Sequence, residues 1–331
     1  MANIVTPASP LGEFGRIARF FAPLAAPEAL GLVDDVALIP GPPGEQYVLK
    51  TDAIVEGVHF LPDDPPALIA QKLLRVNLSD LAAKGAVPFG YLLVTALPKS
   101  RGDDWLARFA AGLAEDQARY GIGLFGGDSV ATPGPATLSV AAIGRIAAGR
   151  AILRSGARTG HRLYVSGTLG DAALGVIAAK GTDLGIAASD RDFLIDRFRL
   201  PQPRLNLGAR LVGIASGMMD ISDGLVADLG HMAKASGVAG VIETARLPLS
   251  TAAAAALARD PARVQCALGG GDDYELLFSA PVEADAMLGS LARELALPIT
   301  PIGRIEAGRG VRVLDPAGHE LRVESAGYKH F

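Results

Sequence analysis

Cysteine is nearly absent: Cys266 is the only one in 331 residues. That excludes an intrachain disulfide framework and a multi-cysteine zinc site, and a reducing cytoplasm is the simplest home. Long apolar runs are missing too. Half the residues are hydrophobic, yet no uninterrupted run reaches the ~18 residues a membrane span needs. Met1 to Pro10 has neither a basic n-region nor an apolar h-region, so no signal peptide is expected. Positive charge is not in excess. A net charge of −4 argues against a nucleic-acid partner. No P-loop exists, because Lys50-Thr51 and Lys99-Ser100 lack the preceding glycine. Residues 121–126 satisfy G-x-G-x-x-G formally. They follow a helical pattern and run into Thr132-Pro133-Gly134-Pro135, the wrong context for a dinucleotide fingerprint. No Ser/His/Asp or Cys/His arrangement suggests covalent catalysis.

What is present is aspartate, at recurring and unusual places. Asp34-Asp35, Asp52, Asp80, Asp128, Asp220/Asp223 and Asp272-Asp273 each sit beside small or apolar residues, not in a charged surface run. The stretch Leu49 to Phe60 reads as a strand running out into a polar loop, with Thr51 and Asp52 at the break. The apolar Val36 to Ile39 and the run Tyr47 to Asp52 flank Gly41-Pro42-Pro43-Gly44, which predicts a hairpin. Gly12 to Leu24 has an amphipathic helical spacing, with Phe14, Ile17 and Phe21 on one face. Pro66 to Gly85 predicts a helix opened by proline and stopped by glycine. Asn77, Asp80 and Lys84 share one face of it, as a solvated stripe or as part of a site. Strands are expected at Phe89–Leu97 and Ile122–Phe125, with a helix at Asp103–Tyr120 between them. Gly126-Gly127-Asp128-Ser129 then forms a second strand tip bearing a carboxylate and a hydroxyl.

From Ser129 to Gly170 there is no Asp or Glu, and Arg145, Arg150, Arg154, Arg158 and Arg162 carry the charge with His161. Such arginines suit phosphate contacts or a solvated linker, and Arg154-Ser155-Gly156-Ala157 is the more pointed candidate. A domain boundary is expected near Gly149, giving domains 1–148 and 149–331. The second half restarts an α/β alternation. Helices are expected at Asp192–Phe198, Pro203–Ile214, Leu225–Ser236, Thr251–Ala258 and Glu283–Leu295, with another opening at Gly170-Asp171. Strands are expected at Leu163–Ser166, Val238–Ile242, Leu276–Ser279, Ile299–Ile305 and Val311–Leu314. Asp223 would lie near a helix N-terminus, where capping alone could explain it. Asp220, between Met219 and Ile221, calls for more. The glycines of Gly269 to Gly271 would let backbone approach whatever lies there.

Clustered carboxylates repel and, left alone, neutralise one another by raised pKa values. A bound cation resolves the repulsion, and an all-oxygen ligand set suits Mg²⁺. Because Mg²⁺ commonly bridges to phosphates, metal-assisted phosphoryl transfer is the chemistry the pattern suggests.

Seven stretches in order carry a resemblance: Asp34-Asp35-Val36-Ala37; Thr51-Asp52 with Glu56-Gly57-Val58-His59-Phe60; Asn77 to Ala83; Gly126-Gly127-Asp128; Arg154 to Ala157; Asp220 to Leu225; and Gly270 to Leu276. Together they resemble the thiamine-monophosphate kinases, of the aminoimidazole ribonucleotide synthetase-like superfamily. The likeness runs from Gly12-Glu13-Phe14 to Gly327-Tyr328-Lys329-His330-Phe331. It implies an α/β (α+β) two-domain fold. The N-terminal domain would pair with its twin in a homodimeric β-barrel, and ATP would lie in the cleft before the C-terminal domain. It implies Mg²⁺ ligands at Asp35, Thr51, Asp52, Asp80, Asp128, Asp220 and Asp223, with Asp35, Asp52, Asp80, Asp128 and Asp220 central to catalysis. Tyr120, Gly127, Asp128, Arg154 and Ser222 would touch ATP; His59, Asp272 and Tyr328 would touch thiamine monophosphate. Val33, Lys50 and Ser129-Val130 depart from the family pattern. Lys50 replaces a usual Ser or Thr, so it would ligate metal through its carbonyl or leave one site weaker. Rival readings are a sister ATP-dependent synthetase of the aminoimidazole ribonucleotide, selenophosphate or hydrogenase-maturation type, and a non-catalytic nucleotide-binding regulator.

Overall fold

A computed structural model describes residues 13–328. The readings of Met1–Pro10 and of Lys329-His330-Phe331, and that of the Phe14 side chain, lie outside the described residues. The expected helix is present from Glu13 to Leu24 but changes type along its length. Helix α1 (Glu13–Arg16) passes into a π-helical turn at Ile17–Phe21 and a 3₁₀ turn at Ala22–Leu24. Pro23 sits in that last turn, where it ends helical hydrogen bonding. Phe20, Phe21 and Leu24 stay exposed, so the single chain leaves these three side chains uncovered.

Strands β1 (Ala37–Pro40) and β2 (Glu45–Val55) form the expected antiparallel hairpin, Ala37 facing Leu49. Helix α2 (Pro66–Ala83) leads to β3 (Val87–Leu97), α3 (Asp103–Tyr120) and β4 (Gly123–Ala131). β4 outruns its expected end, so Gly126 to Ser129 lie within a strand and not at a tip. β5 (Thr137–Ala147) is unforeseen. Its buried Leu138, Val140, Ala142 and Ile146 alternate cleanly, but alanines and Gly144 dilute the apolar signal. β5 is central: the sheet order is β1-β2-β5-β3-β4.

The second half runs β6 (Arg162–Ser166), α4 (Asp171–Ala179), α5 (Ala188–Arg199), α6 (Leu205–Arg210), β7 (Gly217–Asp220), α7 (Leu225–Ser236) and β8 (Ala239–Glu243). Then follow α8 (Thr251–Arg259), α9 (Val264–Gly269), β9 (Leu276–Ala280), α10 (Asp285–Glu294), β10 (Ile299–Glu306) and β11 (Gly310–Leu314). Its sheet order is β11-β8-β10-β6-β9-β7. β7 and α9 have no counterpart in the sequence reading, and α6 is shorter than Pro203–Ile214.

α2 holds the halves together. Leu73, Leu74, Leu78 and Leu81 are fully buried in the first core. Ala82 and Ala83 belong to a second core with Leu207, Leu211 and Met218. The approach is close enough that a Cβ on Gly208 would strike the Ala82 carbonyl. Arg75 fixes α2 to α3 with a buried fork onto Asp116, Nε to Oδ2 at 2.7 Å and Nη2 to Oδ1 at 2.9 Å. The face carrying Asn77, Asp80 and Lys84 is therefore buried, and the solvated-stripe reading is wrong.

Candidate active site

Strand alternation sets one wall of the site. Val48, Lys50, Asp52 and Ile54 share a face of β2, and Val48 and Ile54 pin that face into the core. α2 supplies the facing wall. The Asp52 backbone N–H donates to Asn77 Oδ1 at 2.9 Å. Lys50 Nζ lies 3.1 Å from Asp52 Oδ1 and 3.1 Å from Asp80 Oδ2. Asp220, ending β7, and Asp35, just before β1, complete an electrostatic group around that ammonium. Four of the expected carboxylates therefore converge.

Two of them, Asp80 and Asp220, titrate above the usual carboxylate range. Burial pushes the Asp80 carboxyl well up, with Asp220, Asp52 and Asp35 adding to it against Lys50. Burial, then Asp35, raises Asp220 to about 6. Burial acts upward on Asp35 as well, but Lys84, Arg154 and Lys50 together hold it well below the usual carboxylate range. Burial acts to lower the Lys50 ammonium, and Asp80, Asp52, Asp35 and Asp220 outweigh it, so it stays charged. Asp34 is the anchor beneath. It accepts from the Asp35 N–H at 2.8 Å and the Arg154 N–H at 3.0 Å, and pairs with Lys84 Nζ at 2.8 Å.

A divalent cation fits this donor set in chemistry. The ligands are hard oxygens, they repel one another, and Asp35 Oδ2 is buried with no hydrogen-bond partner. Among the described residues, no three Asp, Glu, His or Cys groups stand at metal-holding positions. The Lys50 ammonium lies among the carboxylates instead.

Other expected ligands stand elsewhere in this single chain. Thr51 points to the opposite face of β2, where its hydroxyl donates to the Val140 carbonyl at 3.0 Å. Asp128 is exposed on β4, opposite Val94, its carboxylate accepting from the Ser129 N–H at 2.8 Å. Two strands separate β4 from β2, a span of about 14 Å. Gly127 has φ +155, and a Cβ there would strike Leu93 O, so strand packing alone demands this glycine. Asp223 stands beside Asp228 of the first turn of α7. Asp228 Oδ2 accepts the N–H groups of the preceding loop, Ser222, Asp223 and Gly224, each at 3.1 Å. Arg154 is not a free phosphate ligand. Though its sequence neighbours carry no acid, its guanidinium donates to Asp35 and to Val33 O. Arg162 likewise pairs with Asp285. Tyr120 ends α3 between the Arg75 and Arg119 guanidiniums, 5.7 and 5.5 Å from its ring centre.

Two of the expected substrate residues, His59 and Asp272, are drawn together by one the sequence reading missed. Buried Lys72 donates from Nζ to Asp272 Oδ2 and to the His59 carbonyl, both at 2.8 Å, and lies 3.8 Å from the Phe198 ring centre. His59 Nδ1 accepts from the Val55 N–H at 3.0 Å. The glycine loop is approached by the chain itself: a Cβ on Gly271 would meet Ser222 O at 2.5 Å. Main-chain bonds run from Asp272 N to Ser222 O at 2.8 Å and from Tyr328 N to Asp223 O at 2.9 Å. Asp272 and Tyr274 both hold positive φ, 63° and 50°, a strain tolerated where surrounding structure over-determines it. Buried Tyr274, also missed, donates its N–H to the carbonyl of Ile221, next to Asp220, at 2.8 Å; burial and then Asp272, Asp52, Asp220 and Asp80 push its hydroxyl well up. Lys72 had one sequence signal, a charge set among the apolar Ile69, Leu73, Leu74 and Val76 of α2.

Two α/β halves with a carboxylate group at their junction define a class. Residues 33–146 match the family "AIR synthase related protein, N-terminal domain" and residues 158–315 its C-terminal domain. Within that class, the thiamine-monophosphate kinase of Caulobacter vibrioides is 43% identical over 98% of this chain and 92% of its own. That of Escherichia coli K12 is 38% identical over 97% and 98%. Among solved structures, AaThiL complexed with AMPPCP and TMP has a TM-score of 0.86 at 32% identity, covering 98% of this chain and all of its own. The thiamine-monophosphate kinase of Stenotrophomonas maltophilia has a TM-score of 0.77 at 43% identity, over 85% and 89%. A hydrogenase maturation protein, HypE, in complex with ATP shares the fold at 19% identity, with a TM-score of 0.69. The chain belongs to the thiamine-monophosphate kinase family.

Proposed function

We propose that this chain transfers the γ-phosphoryl group of ATP to thiamine monophosphate, making thiamine diphosphate in its biosynthesis. Family membership over nearly the whole chain supports this. The observation that carries it is the junction of the two groups. Carboxylates suited to a hard cation adjoin a Lys72–Asp272–His59 cluster on the substrate side, joined by main-chain bonds from Asp272 to Ser222 and from Tyr274 to Ile221, just after Asp220.

The acceptor is a phosphate monoester with a second pKa of about 6, so near pH 7 it is mostly a dianion. It is already a nucleophile, and direct in-line transfer needs no general base or phosphoenzyme. The obstacle is bringing two polyanions together. Bound Mg²⁺ would screen that repulsion and hold the phosphates. Asp35, Asp52, Asp80 and Asp220 would hold it, and Thr51, Asp128 and Asp223 join them on the family likeness alone. Gly127, Arg154, Ser222 and Tyr120 are proposed ATP contacts on the same footing. Asp272 would face the thiazolium cation or the aminopyrimidine, and Tyr328 would stack on a ring. Domains 1–148 and 149–331 would close on the nucleotide, in the cytoplasm.

A homodimer is part of the reading. The edge strand β4 is long and open, and exposed Leu92, Val94, Leu124, Phe125 and Val130 line β3 and β4. Such an edge calls for a partner. A monomeric mass by light scattering at assay concentrations would contradict it.

The deciding experiment is a coupled assay for thiamine diphosphate from thiamine monophosphate, ATP and Mg²⁺. No product, or a radiolabelled covalent phosphoprotein formed from ATP alone, would count against the proposal. Lys72→Met should raise KM for thiamine monophosphate by about 10-fold while leaving kcat near wild type, the pattern of lost uniform binding. An unchanged KM would remove Lys72 from the substrate side.

A further inference from the structure

Lys50 does not merely tolerate the acidic group; its side chain enters it. Two observations carry this beyond a cluster of acids. The ammonium lies 3.1 Å from both Asp52 and Asp80, and these come from different elements, β2 and α2. Meanwhile the described residues offer no metal-holding trio, although four carboxylates share the space. An ammonium is a compact point charge with three donors and can satisfy two carboxylates at once. It is also tethered, so its local concentration never falls. Alternation along β2 explains how it arrives: residue 50 faces α2 with Asp52, whereas Thr51 faces away.

We propose that the Lys50 ammonium is a built-in cation that takes the place of one divalent ion between Asp52 and Asp80. The inference rests on the metal-assisted reading of the site. It assigns Lys50 as a positioning residue: it holds Asp52 and Asp80 in place without touching the reacting phosphate. A hydroxyl at position 50 would supply a neutral oxygen and leave the charge to a free ion. This chain therefore needs one divalent ion fewer per site than a chain with Thr there.

The test counts ions. Free Mn²⁺ is followed by its paramagnetic resonance during titration of the wild type and Lys50→Thr, with and without AMPPCP. The variant is expected to bind one Mn²⁺ more per chain, and the Mg²⁺ concentration for half-maximal activity to rise about 10-fold, the scale on which a group that positions metal ligands acts. Circular dichroism reports folding in parallel. A variant that folds only when Mn²⁺ is present also supports the proposal, because the ion then replaces the ammonium. Equal, non-zero counts in both proteins overturn it while leaving the kinase reading intact. A variant still unfolded in millimolar Mn²⁺ overturns it too, since a free ion then fails to do what the ammonium does. If neither protein binds Mn²⁺, even with AMPPCP, the metal-assisted reading fails and the inference goes with it.

Discussion

Asp220→Asn should lower kcat by about 10²–10³-fold, the scale of losing one charge-stabilising group, and yet raise thermal stability. Asp220 is buried, and its pKa is raised to about 6 by burial and by Asp35. A carboxyl raised above its ordinary 3.8 favours the folded state when protonated. That contribution is full below pH 4 and is lost as pH rises through about 6. At pH 7, in metal-free protein, the ionised group costs on the order of 2–3 kcal/mol, which asparagine removes. The melting-temperature gap between variant and wild type should be widest near pH 7 and close below pH 4. A variant that melts lower at pH 7, or that keeps full kinase activity, would contradict the assignment. The underlying trade is general: groups held for chemistry are often groups the fold would be more stable without.

Glu275→Ala should be among the most destabilising single changes in the chain. Glu275 is fully buried at the entry to β9. Its carboxylate accepts from Ser166 Oγ at 2.6 Å, from Arg197 Nη2 at 2.9 Å and from Arg204 Nε at 2.7 Å. Removing it strands two guanidiniums whose side chains are only 10% and 19% exposed. Breaking a buried pair from one side costs about 3–5 kcal/mol, which lowers the melting temperature by roughly 4–7 °C for a chain of this size. The loss should reach the site as well, because Glu275 immediately follows Tyr274. A thermal melt decides it, and a drop of less than about 3 °C would mean the arginines find other partners.

The sequence by itself determined a good deal. Hydrophobic period and turn chemistry placed the β1–β2 hairpin, α2, α3, α7 and most of the second half, since these depend on neighbours a few residues apart. The aspartates beside small and apolar residues marked Asp35, Asp52, Asp80 and Asp220, because a carboxylate among apolar side chains needs a reason. Only the tertiary structure decided which carboxylates meet, because pairing depends on register and face. Strand order set Asp128 on an open edge, with two strands between β4 and β2. Long-range approach paired Arg154 with Asp35 and Arg162 with Asp285, across gaps that local composition cannot report. It also brought Lys72, from an apolar helix, to Asp272, 200 positions away. Charge is long-ranged in a dry interior, and which charges share that interior is fixed by packing, not by adjacency in the chain.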